Sequence, residues 1–164
     1  MTVTERFTGK YQAVVVDNQD PRGLARLKVQ VPEVFGQETT GWATACSPFT
    51  AQNAGLAAVP PVGSLVYVEW PAGDTSRVPI WSGGSWADGE GVPDAGPDVL
   101  VLVTPAGHKV ELKDTSGSES IQVTAVSGAE VVLDSNGISI SFGGQKIALT
   151  SSSVSINDGA LEVM

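Results

Sequence analysis

The chain has 164 residues, of which 41% are hydrophobic and only 16% charged, and it contains 19 glycines and 10 prolines. This composition, which lacks long amphipathic patterns, favours an all-β chain with many turns. A formal charge of −9 without any basic run argues against nucleic acid or anionic lipid as a partner attracted over distance. The N-terminal residues MTVTERFTGK lack the apolar core of a signal peptide, so we expect synthesis in the cytoplasm.

The first half of the chain contains five short segments that predict β-strands, at residues 9–17, 24–31, 42–46, 64–70 and 78–81. In the second segment Leu27, Val29 and Val31 alternate with polar residues, which is the pattern of a half-buried strand. Five short strands in this span fit a small closed barrel, and the OB-fold is the commonest five-stranded one. We therefore predict an N-terminal five-stranded OB-fold barrel over residues 1–82.

Three tryptophans, Trp42, Trp70 and Trp81, lie in or beside these predicted strands. Their large rings are expected to fill the core or the rim of the barrel. Cys46 is the only cysteine and follows an alanine in the third segment, so we expect it to be a small buried hydrophobic side chain.

Residues 83–98 show no periodic pattern and consist mainly of glycine, proline and acidic residues. This composition predicts a linker between two domains. Strand character resumes at residue 99, which predicts a second domain over residues 99–164.

The second domain is a ladder of short strands. After segments at 99–103 and 108–114, six rungs begin at positions 121, 131, 138, 147, 154 and 161, with a mean spacing of 8 residues. Each rung has two apolar residues two positions apart, the period of a strand, and turn-forming residues separate the rungs. Rungs this short bury little by themselves, and no helix follows to cover them. We predict that three copies wind together as an intertwined trimeric β-helix needle; a meander that completes a monomeric domain is the alternative.

In this needle the apolar residues of the rungs would point at a common axis. The predicted trimer core is Val110, Leu112, Ile121, Val123, Val131, Leu133, Ile138, Ile140, Ile147, Leu149, Val154 and Ile156.

The sequence offers no sign of catalysis or of a bound cofactor. His108 is the only histidine and has no partner with which to form a zinc set or a catalytic triad, and no P-loop or nucleophile-elbow motif is present. We therefore expect no enzyme, no metal site and no cofactor. An OB barrel can bind single-stranded nucleic acid, but the basic residues of the barrel are not interleaved with aromatic ones and are cancelled by acids. An oligonucleotide-binding module and a host-binding fibre stay open as alternatives.

Several stretches resemble, in order, the central spike family of contractile injection systems, which includes phage baseplate assembly protein V and the spike portion of VgrG. The likeness to the family's OB domain lies in residues 15–32 (VVDNQDPRGLARLKVQVP), 41–43 (GWA), 60–63 (PPVG) and 73–81 (GDTSRVPIW). Residues 104–114 (TPAGHKVELKD) resemble the start of the spike's β-helix, and residues 153–164 (SVSINDGALEVM) its blunt end.

This resemblance implies a homotrimer in the baseplate of a phage tail or tail-like particle, with the OB domains under a hub protein. The needle would pierce the target envelope, touching the membrane only transiently, and a PAAR-repeat protein would cap its tip. Some spikes carry their own iron-binding apex, but this chain has no histidine after His108, which favours a separate tip protein. The predicted docking face for that protein is Leu161, Glu162, Val163 and Met164.

Overall fold

The computed structural model describes residues 6–164 and divides the chain into two compact units, one ending at Glu90 and the other comprising Gly91–Met164. Both units are built from β-strands, so the predicted all-β class is confirmed. Helical structure in the described residues is limited to α1 (Pro32–Phe35) and a 3-10 turn at Pro71–Gly73. Neither helix is long and apolar enough to cross a membrane.

Seven strands lie in residues 6–90, the described part of the N-terminal unit. They are β1 (Tyr11–Asp17), β2 (Lys28–Gln30), β3 (Thr44–Ala45), β4 (Thr50–Ala51), β5 (Ala54–Gly55), β6 (Leu65–Glu69) and β7 (Ile80–Ser85). Five of them form one sheet in the order β2-β1-β6-β7-β3, while β4 and β5 form a separate hairpin. The backbones of Leu27 and Ala43 exchange two hydrogen bonds of 3.1 and 2.7 Å, which joins the two ends of the five-stranded order. This arrangement fits the predicted OB fold.

The hydrophobic core of this unit lies inside the curved sheet. Its buried members are Ala13, Val15, Leu27, Val29, Val31, Ala43, Val66, Val68, Trp70 and Trp81. Leu27, Val29 and Val31 therefore face the same side, as the alternating pattern predicts. Phe35 of the short helix packs edge-on against Trp70 with the ring centroids 5.6 Å apart, so the helix covers one end of the core.

The segment before β2 is a loop rather than the predicted strand. The side chain of Asp20 accepts hydrogen bonds from the backbone amides of Arg22, Leu24 and Arg26, and Ala25 adopts a positive φ of 55°. Backbone amides bound to a carboxylate are not available to a β-ladder. As a result, Leu24 is 60% exposed.

The expectation that Cys46 is buried is wrong: its side chain is exposed. Strand β3 ends one residue earlier, at Ala45. The amide of Cys46 still donates a 2.9 Å hydrogen bond to the carbonyl of Trp81 in β7. Ala43 and Ala45 face the core, so the strand alternation directs the side chain of Cys46 outward.

The C-terminal unit is a single eight-stranded sheet whose strands follow one another in chain order. They are β8 (Val99–Val103), β9 (Lys109–Lys113), β10 (Ser120–Thr124), β11 (Glu130–Asp134), β12 (Gly137–Phe142), β13 (Gln145–Leu149), β14 (Val154–Ile156) and β15 (Leu161–Val163). All neighbouring pairs are antiparallel, and every predicted rung is a strand. These ladder bonds are made within one chain; the winding of three chains into a needle stays a prediction.

Short turns rich in glycine allow this tight succession of strands. Strands β12 and β13 are joined by Gly143 and Gly144 alone, with φ of 59° and 82°. Two successive residues with positive φ match the twist of a two-residue hairpin, and glycine adopts this conformation without steric cost.

Candidate functional site

The candidate site is one face of the C-terminal sheet, and the strand register creates it. Leu112 of β9 lies opposite Ile121 of β10, which lies opposite Leu133 of β11. Leu133 in turn lies opposite Ile138 of β12. Because residues directly opposite in a ladder point to the same side of the sheet, their side chains form one continuous row.

Two such rows cross all eight strands and together make what we term the apolar face. The first row is Leu100, Leu112, Ile121, Leu133, Ile138, Leu149, Val154 and Val163. The second row is Leu102, Val110, Val123, Val131, Ile140, Ile147, Ile156 and Leu161. All twelve residues predicted for the trimer core lie in these rows.

Four members of the rows were not in the predicted core. Leu161 and Val163, which we expected to dock a tip protein, extend the rows at the last strand. Leu100 and Leu102 extend them at the first strand, and sequence reasoning missed both. Strand β8 reads Val-Leu-Val-Leu-Val, so both of its sides are apolar and its sequence does not indicate whether the valines or the leucines lie on the apolar face. The register with β9 places the leucines there.

The apolar face is uncovered in the single chain. Nine of the twelve predicted core residues are between 38% and 49% exposed, and Leu100 reaches 70%. Within residues 91–164, all of which the structure describes, no hydrophobic side chain belongs to the buried core. At the usual strand spacing, eight strands extend the face over about 34 Å. Continuous apolar surface of this extent marks an interaction site.

The opposite face of the same sheet is polar and partnered. Lys109 and Glu111 form an ion pair with a nitrogen–oxygen distance of 2.8 Å, and Gln122 donates a hydrogen bond to Glu130. The hydrogen bond and charge of Glu111 raise the pKa of Lys109 above its ordinary value. This side is therefore mostly polar, in contrast to the apolar face, and its ion pair is partly covered, with Lys109 26% and Glu111 13% exposed.

The four residues of the predicted docking face, at the last strand, lie in three different environments. Val163 and Leu161 pair with Val154 and Ile156 on the apolar face. Glu162 points to the polar side, where it accepts a 2.8 Å hydrogen bond from Ser153. Met164 is fully exposed, and β15 forms the end of the strand order.

The basic residues of the N-terminal unit do not form a free cationic surface around Trp42. Lys28 and Arg26 lie over this indole ring, at 4.7 and 5.3 Å from its centroid, a grouping that the sequence did not predict. Each cation also pairs with a carboxylate: Lys28 with Asp17 at 3.0 Å, and Arg26 with Asp20. The hydrogen bonds from Arg26 hold the pKa of Asp20 well below its ordinary range. The two charges are thus already neutralised.

His108 has a local role in a turn. Its Nδ1 accepts a hydrogen bond of 3.4 Å from the backbone amide of Val126. Across residues 6–164 the structure brings together no group of three or more His, Cys, Asp and Glu side chains that could hold a metal ion.

Two family models match this chain. Residues 11–86 match the OB domain of the type VI secretion system and phage-baseplate injector. Residues 99–162 match the C-terminal trimerisation domain of phage baseplate V. No curated protein matches the chain.

The matched segments coincide with the two sheets described above. The first contains the five-stranded sheet, and the second contains the apolar face. A trimerisation domain accounts for the absence of a buried core in the second segment, and it makes the protein a homotrimer. The chain belongs to the phage baseplate V family, structural spike-like components of phage baseplates and type VI secretion systems.

Proposed function

We propose that this protein is the non-enzymatic central spike of a contractile injection machine. The homotrimer would lie under the baseplate hub and pierce the target envelope when the sheath drives the tube forward. The observation that carries this proposal is the apolar face, which runs without interruption across all eight strands of the trimerisation domain.

The trimer core would form where three apolar faces meet on a common axis. The twelve residues named from the sequence would supply most of it, and Leu100, Leu102, Leu161 and Val163 would extend it to both ends. Completing the burial of a half-exposed aliphatic side chain contributes roughly 1 kcal/mol. Since 16 such side chains per protomer line the two rows, the assembly would be far more stable than the single sheet.

The same geometry suits a part that transmits force. The ladder hydrogen bonds of an antiparallel sheet run perpendicular to its strands, so they follow the long direction of the apolar rows. A load along this direction would be shared by all the bonds of each ladder. With three sheets closed around a dry core, few free edges would remain to pair with other chains.

The outer surface would be the polar face. Residues 99–164 carry three basic and seven acidic groups. A net negative surface does not adhere to anionic lipid, because like charges repel at short range. This favours a spike that passes through a membrane over one that stays in it.

Locating the protein in the assembled particle tests the proposed function. We expect gold-labelled antibodies to bind the leading end of the tube after sheath contraction, and antibodies against the sheath, as a control, to bind the tail wall. Label on peripheral fibres of intact particles, together with saturable attachment of the isolated protein to target cells, would instead establish the host-binding fibre.

We further propose that Leu161–Val163 and Met164 dock a PAAR-repeat tip protein. Three copies of the end strand β15 would present open backbone edges, and three fully exposed methionines would surround them. Edge strands and exposed apolar side chains together form a template for a further chain.

Deleting residues 161–164 should abolish binding of the particle's PAAR-repeat protein while the variant stays trimeric, because the other seven strands retain both rows. Co-purification of tagged tip protein measures binding, and light scattering checks the trimer. Replacing Ser155 by Ala, a change on the polar side of the preceding strand and outside the docking face, serves as the control and should bind the tip. Full tip binding by the trimeric deletion variant would contradict this assignment.

A further inference from the structure

A long uncharged stretch of the N-terminal unit is not used by the barrel core. From Gly41 to Val68 the sequence contains no Asp, Glu, Lys, Arg or His, although the chain as a whole carries a charge of −9. Residues 47–62, which we term the arm, leave the barrel in this stretch and carry the β4–β5 hairpin. Phe49 in the arm is 59% exposed. An exposed aromatic side chain on an uncharged projection is typical of a protein contact.

A groove of about 750 Å³ lies between the arm and the barrel. Leu24, Ala45, Cys46 and Trp81 line it from the barrel side, and Leu56 from the side of the arm. No charged residue lines the groove, and Phe49 is not among its lining residues. The side chain of Phe49 thus points out of the groove, although its neighbours Pro48 and Thr50 line it, and the groove is large enough to receive an aromatic side chain from another copy.

Hydrogen bonds fix both walls of the groove. On the barrel side Trp81 donates from its indole nitrogen to the carbonyl of Ala25 at 3.0 Å, and Asp20 holds the amide of Leu24 at 2.8 Å. On the arm side Ser47 donates to the carbonyl of Leu56 at 2.6 Å. A groove held in this way is preformed, so an occupant loses little free energy in ordering it.

The homotrimer supplies an occupant. Strand β7 ends at Ser85 and β8 begins at Val99, so each N-terminal unit is tethered to the trimerisation domain by residues 86–98. A tether of this length reaches at most about 45 Å. Three N-terminal units are therefore held at millimolar effective concentration or above, where even a weak apolar contact is formed.

We propose that the arm of each protomer docks in the groove of the next protomer, with Phe49 as the inserted side chain. A side chain of one protomer that enters the groove of the next makes a head-to-tail contact, and three such contacts close a ring. The contact would lock the three OB units together. It rests on the trimeric state and not on the piercing role.

The single cysteine reports on this contact, because Cys46 is exposed in one protomer and would be covered by a neighbouring arm. The rate of maleimide labelling is measured on the purified full-length trimer and on the chain unfolded in guanidinium. We expect the trimer to be labelled at least tenfold more slowly than the unfolded chain. In the Phe49→Ser variant, which keeps the trimerisation domain and hence the trimer, we expect the rate to rise by a similar factor.

The matched control is Val78→Ser, which removes an equally exposed apolar side chain that does not line the groove. Its labelling rate should equal that of the wild type. Fast labelling of the wild-type trimer would overturn the proposal. If an added hub protein then slowed the labelling, the occupant of the groove would be the hub and not a neighbouring arm. An unchanged slow rate in the trimeric Phe49→Ser variant would overturn it as well.

Discussion

Replacing Ile138 by Asp is expected to abolish the trimer and leave the protein at the mass of one chain, 16.9 kDa. Ile138 lies in the middle of the first apolar row, directly between Leu133 and Leu149. In the proposed needle each assembly would bury three carboxylates on one axis, without a basic residue in either row to pair with them. An unpaired buried charge costs several kcal/mol, and here the cost is incurred three times.

Light scattering after size exclusion measures the mass, and a gel in SDS without boiling measures the resistance of the trimer. The control is Ser139→Asp on the same strand, whose side chain faces the polar side between Val132 and Ala148. It should give three times the mass of one chain and remain SDS-resistant. Ile147→Asp, in the second row, should behave like Ile138→Asp. Trimers of normal resistance from both isoleucine variants would show that the apolar face is not the trimer core.

Replacing Gly137 by Ala is expected to weaken or prevent formation of the trimerisation domain. Gly137 has a φ of 132°, and a Cβ at this position would lie 2.0 Å from the carbonyl oxygen of Leu149. The obstructing atom is backbone in the neighbouring strand β13, so the two strands would have to separate. We expect a loss of about 3 kcal/mol or more per protomer, and three times this in the trimer.

Gly143→Ala is the matched control, because Gly143 also has a positive φ, 59°, but an added Cβ would meet nothing within 4 Å. Only the left-handed backbone conformation is then penalised, by roughly 1 kcal/mol. Thermal unfolding of both purified variants, followed by the loss of the SDS-resistant band, compares them. Equal midpoints for the two variants would contradict the close approach of Gly137 to β13.

Local sequence patterns predicted most of the ladder because each rung can be identified as a strand from its own few residues. Two apolar residues two positions apart, bounded by turn formers, specify a strand regardless of what lies elsewhere in the chain. The same reasoning failed for residues 24–26, where the carboxylate of Asp20 captures backbone amides that a strand would have used. It also failed for Cys46, because the residues around it, Ala43, Thr44 and Ala45, do not show which alternate set faces the core, and the core side is that of Ala43 and Ala45.

The grouping around Trp42 shows why other contacts could not be predicted. Lys28 and Arg26 lie on the segment at β2, whereas the ring lies just before β3. The sequence of neither segment indicates that the two segments are in contact. The bridge between Leu27 and Ala43 brings them together, and this bridge forms because the two ends of the sheet meet.

The amino-acid sequence was enough to predict an all-β chain whose first half forms a barrel and whose second half is a ladder of short strands, each with two apolar residues. Which side chains lie on the same face of the ladder depends on the tertiary structure. The turns between rungs differ in length, from the two residues after Phe142 to the six after Lys113, so spacing alone does not align the rungs. Cross-strand hydrogen bonding sets the register, and the register gathers sixteen side chains into two rows because opposite residues in a ladder must point to the same side.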